Sequence, residues 1–130
     1  MATAVTHTLL QQVTGAGRTV QKSNDYSGDG EVNRSVDVPD SSTDKLMNIA
    51  IDVSQIKLIY IVSDQAMLIE TNADDGSVDV ITLVANQPYI WKTGDYFTNL
   101  LTTDVTCFYL TNSSGSAAVL DVLVVTDSTP

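Results

Sequence analysis

The residue types that most often carry catalysis or bind metals are sparse in this sequence. His7 is the single histidine, so no second imidazole is available to complete a zinc or non-haem iron site. Its place near the start of an N-terminal strand predicts a surface or packing role. Cys107, the single cysteine, lies in an apolar run and is expected to be a buried, inert thiol. The residue pattern therefore predicts no catalytic residue and no cofactor.

Carboxylates form two loose clusters in segments rich in turn-forming residues. The denser cluster comprises Asp74, Asp75 and Asp79, and the other comprises Asp25, Asp29 and Glu31. Oxygen-rich loops bind calcium, but the denser cluster does not have the spacing of an EF-hand loop. We interpret both clusters as solvated turns and keep Asp74, Asp75 and Asp79 only as weak calcium candidates.

Four aromatic residues lie close together in the sequence: Tyr89, Trp91, Tyr96 and Phe97. One interpretation is a platform on which sugar rings stack. Tyr89 and Trp91 alternate with Ile90, so they share one face of a short strand, as core anchors do. The pattern favours core packing or subunit contact over carbohydrate binding.

The charge balance is strongly acidic, with 16 acidic and 6 basic residues and a formal net charge of -10. Such a surface repels a phosphate backbone and anionic lipid headgroups, so we expect no direct nucleic-acid or membrane binding. Docking on a basic protein surface fits this charge, and so does a simple solvated coat. The sequence shows neither a secretory signal pattern nor an apolar run long enough to span a membrane. We therefore expect synthesis and folding in a cytoplasm.

A hairpin over residues 67–84 is the clearest structural signal. Met67, Ile69 and Thr71 alternate with Leu68, Glu70 and Asn72, and a second alternating arm runs from Val78 to Val84. The turn-forming residues 72–77 join the two arms. Further strands are predicted over residues 4–14, 18–23, 31–38, 45–53, 56–62, 89–91, 105–110 and 117–125.

The segments between these strands indicate the fold. Residues 24–30 are predicted to form a loop, residues 96–101 an irregular, aromatic-anchored segment, and residues 126–130 a short tail. Turn signals recur every ~8–12 residues, as in sandwiches and barrels. The sequence predicts an all-β protein, a single jelly-roll-like antiparallel β-sandwich domain of nine or ten strands over residues 1–130.

Several segments together resemble small virion proteins encoded in the structural modules of tailed bacteriophages. The segments are Asn48–Ser54, Tyr60–Asp64, Ile69–Asn72, Thr82–Leu83, Gln87–Trp91, Asp95–Phe97 and Val105–Asn112. The resemblance covers about two-thirds of the chain and is a pattern of strands and turns.

This resemblance implies a capsid cement or decoration protein on the outside of the virion. Its partners would be the major capsid protein and further copies of itself, with a trimer favoured over a dimer. The N-terminal strand within residues 1–14 is a candidate for exchange with a neighbouring subunit, although it equally suits its own sandwich. The interface candidates are Thr3, Val5, His7, Leu9, Tyr89, Trp91, Tyr96 and Phe97.

Two alternative functions remain open at the level of sequence. One is a head-fibre or tail-associated module that binds a cell-surface glycan through Trp91 and the neighbouring aromatics. The other is a small acidic hydrolase, which requires two carboxylates facing each other in a concave pocket.

Overall fold

The computed structural model describes residues 4–128, which form ten β-strands and one short 3-10 helix, Val53–Gln55. The strands are β1 (Val5–Gly15), β2 (Arg18–Gly28), β3 (Gly30–Val38), β4 (Ser42–Ile51), β5 (Ile56–Ser63), β6 (Met67–Thr71), β7 (Val80–Leu83), β8 (Tyr89–Lys92), β9 (Val105–Asn112) and β10 (Ala118–Thr126). The predicted all-β class and the strand number are confirmed.

Eight of the strands form a sandwich of two four-stranded antiparallel sheets. One sheet has the order β3-β10-β5-β8 and the other has the order β4-β9-β6-β7. The first two strands, β1 and β2, pair only with each other in a separate two-stranded sheet. Most neighbouring strands within the sandwich are distant in sequence. Each sheet therefore contains strands from both halves of residues 30–126.

The core lies between the two four-stranded sheets and is built from alternating aliphatic residues. Ile59 and Ile61 of β5 face Phe108 and Leu110 of β9 across it, and all four side chains are completely buried. Leu58, on the opposite side of β5, is also buried. The predicted central position of β5 is therefore confirmed, because β5 lies between β10 and β8 and its inner face and Leu58 are buried, although Val62 is only partly covered.

The hairpin predicted over residues 67–84 is present as the pair β6 and β7. Ile69 lies opposite Ile81 in the register, and both side chains are buried. The second strand is shorter than predicted, since β7 covers only Val80–Leu83. Val80 and Val84 point outward and are 46% and 64% exposed. The alternating pattern therefore predicted the position of the strand, but it did not indicate that the valines on its outer face are exposed.

The loop predicted over residues 24–30 is wrong, because β2 continues to Gly28 before β3 begins at Gly30. Turn-forming residues remain extended here because the opposite strand supplies their hydrogen-bond partners. Thr8 donates its hydroxyl to Asp25 at 2.5 Å, and the Thr6 and Ser27 hydroxyls lie 2.7 Å apart. Cross-strand pairing thus overrides the local preference for a turn.

The boundaries of β4 and of the C-terminal tail also differ from prediction. The strand predicted over residues 45–53 begins at Ser42 and ends at Ile51. Thr126 belongs to β10, and the described part of the tail is tied down: the Ser128 N–H donates to Asp29 at 2.9 Å. Hydrogen bonds from the Ser128 hydroxyl and N–H lower the pKa of Asp29 because they favour its ionised form.

Candidate interaction surfaces

The hairpin β1–β2 extends beyond the sandwich as an arm. Every residue from Leu10 to Asp25 is exposed, whereas Leu9 is only 7% exposed. Leu10 and Ser23 are cross-strand partners, so we call residues 10–23 the distal arm and the rest of the hairpin the arm base. At about 3.4 Å per residue, the strand from Leu10 to Gly15 extends roughly 20 Å.

The two faces of the distal arm differ in chemistry. One face carries two threonines, two glutamines and one serine with a single aliphatic residue, Leu10. The other is continuous with the face that packs on the sandwich at Leu9, and we call it the inner face. Beyond Leu9 it presents the cross-strand pair Val13 and Val20, which are 75% and 57% exposed, with Lys22 beside them. Along the distal arm the inner face is therefore mixed, with the exposed valine pair flanked by Gln11 and Lys22 on one side and by Arg18 on the other.

Charge is distributed unequally between the distal arm and the rest of the chain. The distal arm contains two basic residues, Arg18 and Lys22, and no acidic residue. The remaining residues include four basic and sixteen acidic ones, a formal net charge of -12. The molecule is thus an acidic body with a small cationic arm.

The arm base is held by close packing on the sandwich. Leu9 packs with Leu58 and Val125, and Gly28 is buried against the backbone of Thr126. His7 Nε2 lies 2.5 Å from Glu31 Oε2, which links β1 to β3.

The interface candidates of the N-terminal strand are therefore mostly engaged with their own chain. Leu9 is buried, and Val5 and His7 are half-buried on the same face of β1. Thr3 lies outside the described residues. Exchange of this strand stays a prediction, and the structure indicates that the unit available for exchange is the two-stranded hairpin.

The arm base covers only part of the outer face of the sheet β3-β10-β5-β8. The part farther from the arm base remains open, and we call it the open half. It carries two exposed carboxylates, Asp37 and Asp121, next to the aliphatic residues Val62 and Val119. Val119 is 38% exposed and lies directly opposite Asp37. The open half is thus both acidic and partly apolar.

A second surface is formed by the irregular segment 93–104 that follows β8. Tyr89 donates its hydroxyl to Asn99 at 2.5 Å and accepts the Leu100 N–H at 2.8 Å. Trp91 Nε1 donates to the Phe97 carbonyl at 2.9 Å. Both aromatic rings pack against the core, and burial raises the pKa of Tyr89. These two interface candidates therefore hold the segment in place, with their rings half-buried against the core.

An ion pair closes the beginning of this segment. Lys92 Nζ lies 3.1 Å from Asp95 Oδ2, and Asp95 also accepts the Phe97 N–H at 3.4 Å. Although burial acts in the opposite direction, these hydrogen bonds hold the pKa of Asp95 below its ordinary value. The carboxylate is therefore the form that the local structure favours.

The other two aromatic interface candidates point into solvent. Tyr96 is 99% exposed and Phe97 is 78% exposed, so the predicted anchoring of this segment comes from Tyr89 and Trp91 instead. Val84 and Leu100 line one small groove nearby and are 64% and 49% exposed. We call Val84, Tyr96, Phe97 and Leu100 the loop patch. Val84 and Leu100 share this groove, and Tyr96 and Phe97 add two exposed aromatic rings on the same segment as Leu100.

The weak calcium candidates occupy two different environments. Asp74 and Asp75 are exposed in the turn after β6, as expected for solvated residues. Asp79 is only 7% exposed, and its carboxylate accepts the Thr102 N–H and hydroxyl, both at 2.8 Å, and the Thr103 N–H at 3.3 Å. Within residues 4–128 no three His, Cys, Asp or Glu side chains gather as ligands for a metal ion. Asp79 therefore fastens segment 93–104 to the hairpin β6–β7.

A groove of about 550 Å³ lies between β3 and β4. Among the described residues that line it, Glu31 is the only acid, and it is already paired with His7. Arg34 spans the groove by donating to the Asn48 carbonyl at 2.7 Å. The groove thus does not bring together the two facing carboxylates that the hydrolase alternative requires.

Sequence reasoning predicted the two strands of the arm, over residues 4–14 and 18–23, but missed that this hairpin extends beyond the sandwich, and it missed the open half. A signal for the arm was present, because residues 10–23 contain two basic and no acidic residues in a chain that is otherwise strongly acidic. The open half depends on long-range pairing between β3, β5 and β10, which no local pattern shows.

Comparisons with protein-family models, curated proteins and solved structures found no match to this chain. No helix within residues 4–128 is long and apolar enough to cross a membrane. The arguments for function therefore depend on the surfaces described above.

Proposed function

We propose that this protein is a virion structural protein that decorates and stabilises the outside of a tailed-bacteriophage capsid. It would bind the major capsid protein and neighbouring copies of itself, and the trimer stays the favoured assembly. The observation that carries the proposal is the exposed arm on a compact acidic sandwich. The interleaved strand order of the two sheets supports the jelly-roll interpretation of that sandwich.

The two exposed surfaces suit a protein whose task is contact between subunits. The distal arm gives a long, narrow surface with uncovered valines and two cations. The loop patch gives large exposed apolar side chains, and its aromatic residues Tyr96 and Phe97 are of types enriched at protein interfaces. We assign the loop patch to the major capsid protein and the arm to contacts between copies.

The physical mechanism of stabilisation is mass action. A protein that binds only the assembled shell stabilises that shell by the free energy of binding. Because every capsid offers many equivalent sites, modest contacts repeated over the surface add to a large total. A rigid segment helps, since anchoring by Tyr89, Trp91 and Asp79 fixes the loop patch before binding and lowers the entropic cost.

The primary experiment is mass spectrometry and electron microscopy of purified virus particles from cells that make this protein. We expect the chain in hundreds of copies per particle, on the outside of the shell, with heat resistance of the shell lost when it is removed. Absence of the chain from particles would contradict the proposal.

A second experiment tests the assigned capsid surface with recombinant protein added to particles that lack it. Replacing Tyr96 and Phe97 with serine should lower the affinity for particles by at least roughly tenfold. Thr98→Ala is the matched control, because Thr98 is an exposed residue of the same segment. Equal binding by both variants would exclude the loop patch. Binding of either protein to a glycan array would instead favour the head-fibre or tail alternative.

A further inference from the structure

We propose that the inner face of the distal arm docks on the open half of the sheet β3-β10-β5-β8 in a second copy of this chain. This inference deepens the proposed function by naming the surfaces through which copies meet. It concerns the free protein in solution and needs no capsid.

Both surfaces have the chemistry of a contact that lacks its partner. On the arm, Val13 and Val20 form an exposed apolar pair with Lys22 beside it. On the sheet, Val62 and Val119 lie beside the exposed carboxylates Asp37 and Asp121. Valines would meet valines while cations meet carboxylates.

The arm base already shows how the two surfaces fit. There the same inner face lies on the same sheet of its own chain, where Leu9 packs with Leu58 and Val125. The distal arm and the open half are the continuations of these two faces. Within a single chain the inner face of the distal arm and the open half both stay exposed, because the arm does not fold back on its own sheet. A second copy can cover both with packing of the kind already present at Leu9.

Charge selects a second copy over other partners. A distal arm with two cations attached to a body with a formal net charge of -12 is poorly suited to nucleic acid or an anionic membrane, because the body is repelled. The same body attracts the arm of another copy. Since each copy gives one arm and receives one, the contact can close into a ring of identical interfaces, as in a trimer or a dimer.

The first test is the mass of the protein in solution by light scattering and sedimentation. We expect a multiple of the 13.9 kDa chain mass, with three copies for the favoured trimer. Reversing the arm charges with Arg18→Glu and Lys22→Glu should give monomers, and so should Asp37→Lys with Asp121→Lys. An equimolar mixture of these two variants should recover association in species where the two variants alternate, such as pairs, because each reversed arm then meets a reversed sheet; a ring of three cannot be fully matched in this mixture.

The matched control reverses two basic residues outside the arm, Lys45→Glu and Lys57→Glu, with the same change in net charge. This control should keep the mass of the original protein, and circular dichroism should show the same β-sheet spectrum for every variant. A monomeric original protein at high concentration overturns the inference. Association that persists in the arm variant, or that the Lys45 and Lys57 control loses equally, overturns it as well.

The second test locates the contact by crosslinking. One protein carries Val20→Cys, another carries Val119→Cys, and the two are mixed under mild oxidation. We expect a disulfide that joins one Val20→Cys chain to one Val119→Cys chain. In the control mixture, Val20→Cys should not form a disulfide with Ser113→Cys, an exposed position outside the open half. The opposite pattern overturns the inference, as does binding of the arm to anionic vesicles or nucleic acid without self-association. Because neither test contains capsids, failure here is distinct from failure of the decoration function.

Discussion

Replacing Gly28 with alanine tests whether close backbone packing holds the arm on the sandwich. A Cβ atom built on Gly28 would lie 2.0 Å from the Thr126 carbonyl oxygen and 2.7 Å from its carbon. Both are backbone atoms, so no side-chain rotation relieves the clash. Because non-bonded atoms settle near roughly 3.5 Å, the two strands must separate by more than about 1 Å.

The size of the effect follows from what this separation disturbs. Overpacking of this kind typically costs about 1–3 kcal/mol. The loss of stability is limited by complete detachment of the arm base from the sandwich. Detachment would expose the buried Leu9 and so cost about 1.5–3 kcal/mol of hydrophobic stabilisation, a value of similar size. At about 4 °C per kcal/mol for a domain of this size, Gly28→Ala should lower the melting temperature by roughly 4–12 °C.

Gly15→Ala in the same hairpin is the matched control. A Cβ atom at Gly15 meets nothing within 4 Å, so the change in unfolding free energy should stay within about 0.5 kcal/mol. Urea unfolding measures both variants, and hydrogen exchange should show faster opening around the pair Leu9 and Asn24 only in Gly28→Ala. Equal stability of the two variants would refute the argument from close packing.

Three further predictions concern segment 93–104. Asp79→Ala removes a buried acceptor of three hydrogen bonds and should cost about 2–4 kcal/mol in urea unfolding, while Asp79→Asn costs less. Because the pKa of Asp95 is lowered, its contribution to stability is present above pH 3.8 and is lost as the pH falls through the lower value of the folded state. At low protein concentration, fluorescence of the single Trp91 should report this loss of stability on acidification, and Asp95→Asn should abolish the pH dependence. A pH profile that is the same in Asp95→Asn as in the original protein would contradict the role of the ion pair. Phe97→Ala should alter stability by less than about 0.5 kcal/mol, whereas Trp91→Ala should cost roughly 2–3 kcal/mol, and equal losses would show that Phe97 is part of the core.

The parts of the fold that could be predicted are those that local alternation determines. Met67 and Ile69 alternate with Leu68 and Glu70, and the strand and its buried face follow directly. The end of β2 could not be predicted, because Asn24 and its neighbours prefer turns in isolation. Only the full-length pairing with β1 keeps them extended.

The candidate surfaces were less accessible to sequence reasoning than the strands. Alternation marks Val13 and Val20 as one apolar face but does not reveal that nothing covers it. Asp79 has the local signature of a solvated turn, yet its partners lie 23 and 24 residues further along the chain. Such long-range contacts depend on how the sheets are assembled, which a single sequence does not specify.

The free edges of the arm also set the colloidal behaviour of the protein. In the described part of the chain, β1 and β2 pair with no third strand, so each has one edge of unpaired backbone groups. Such edges are templates for fibril growth, which mutual repulsion between highly charged copies suppresses. Near the sequence isoelectric point of about 4.1 that repulsion vanishes. Acidification should therefore cause precipitation that begins at the hairpin, and a chain shortened by joining Leu9 to Asn24 through an Asn-Gly turn should stay clear in the same buffer.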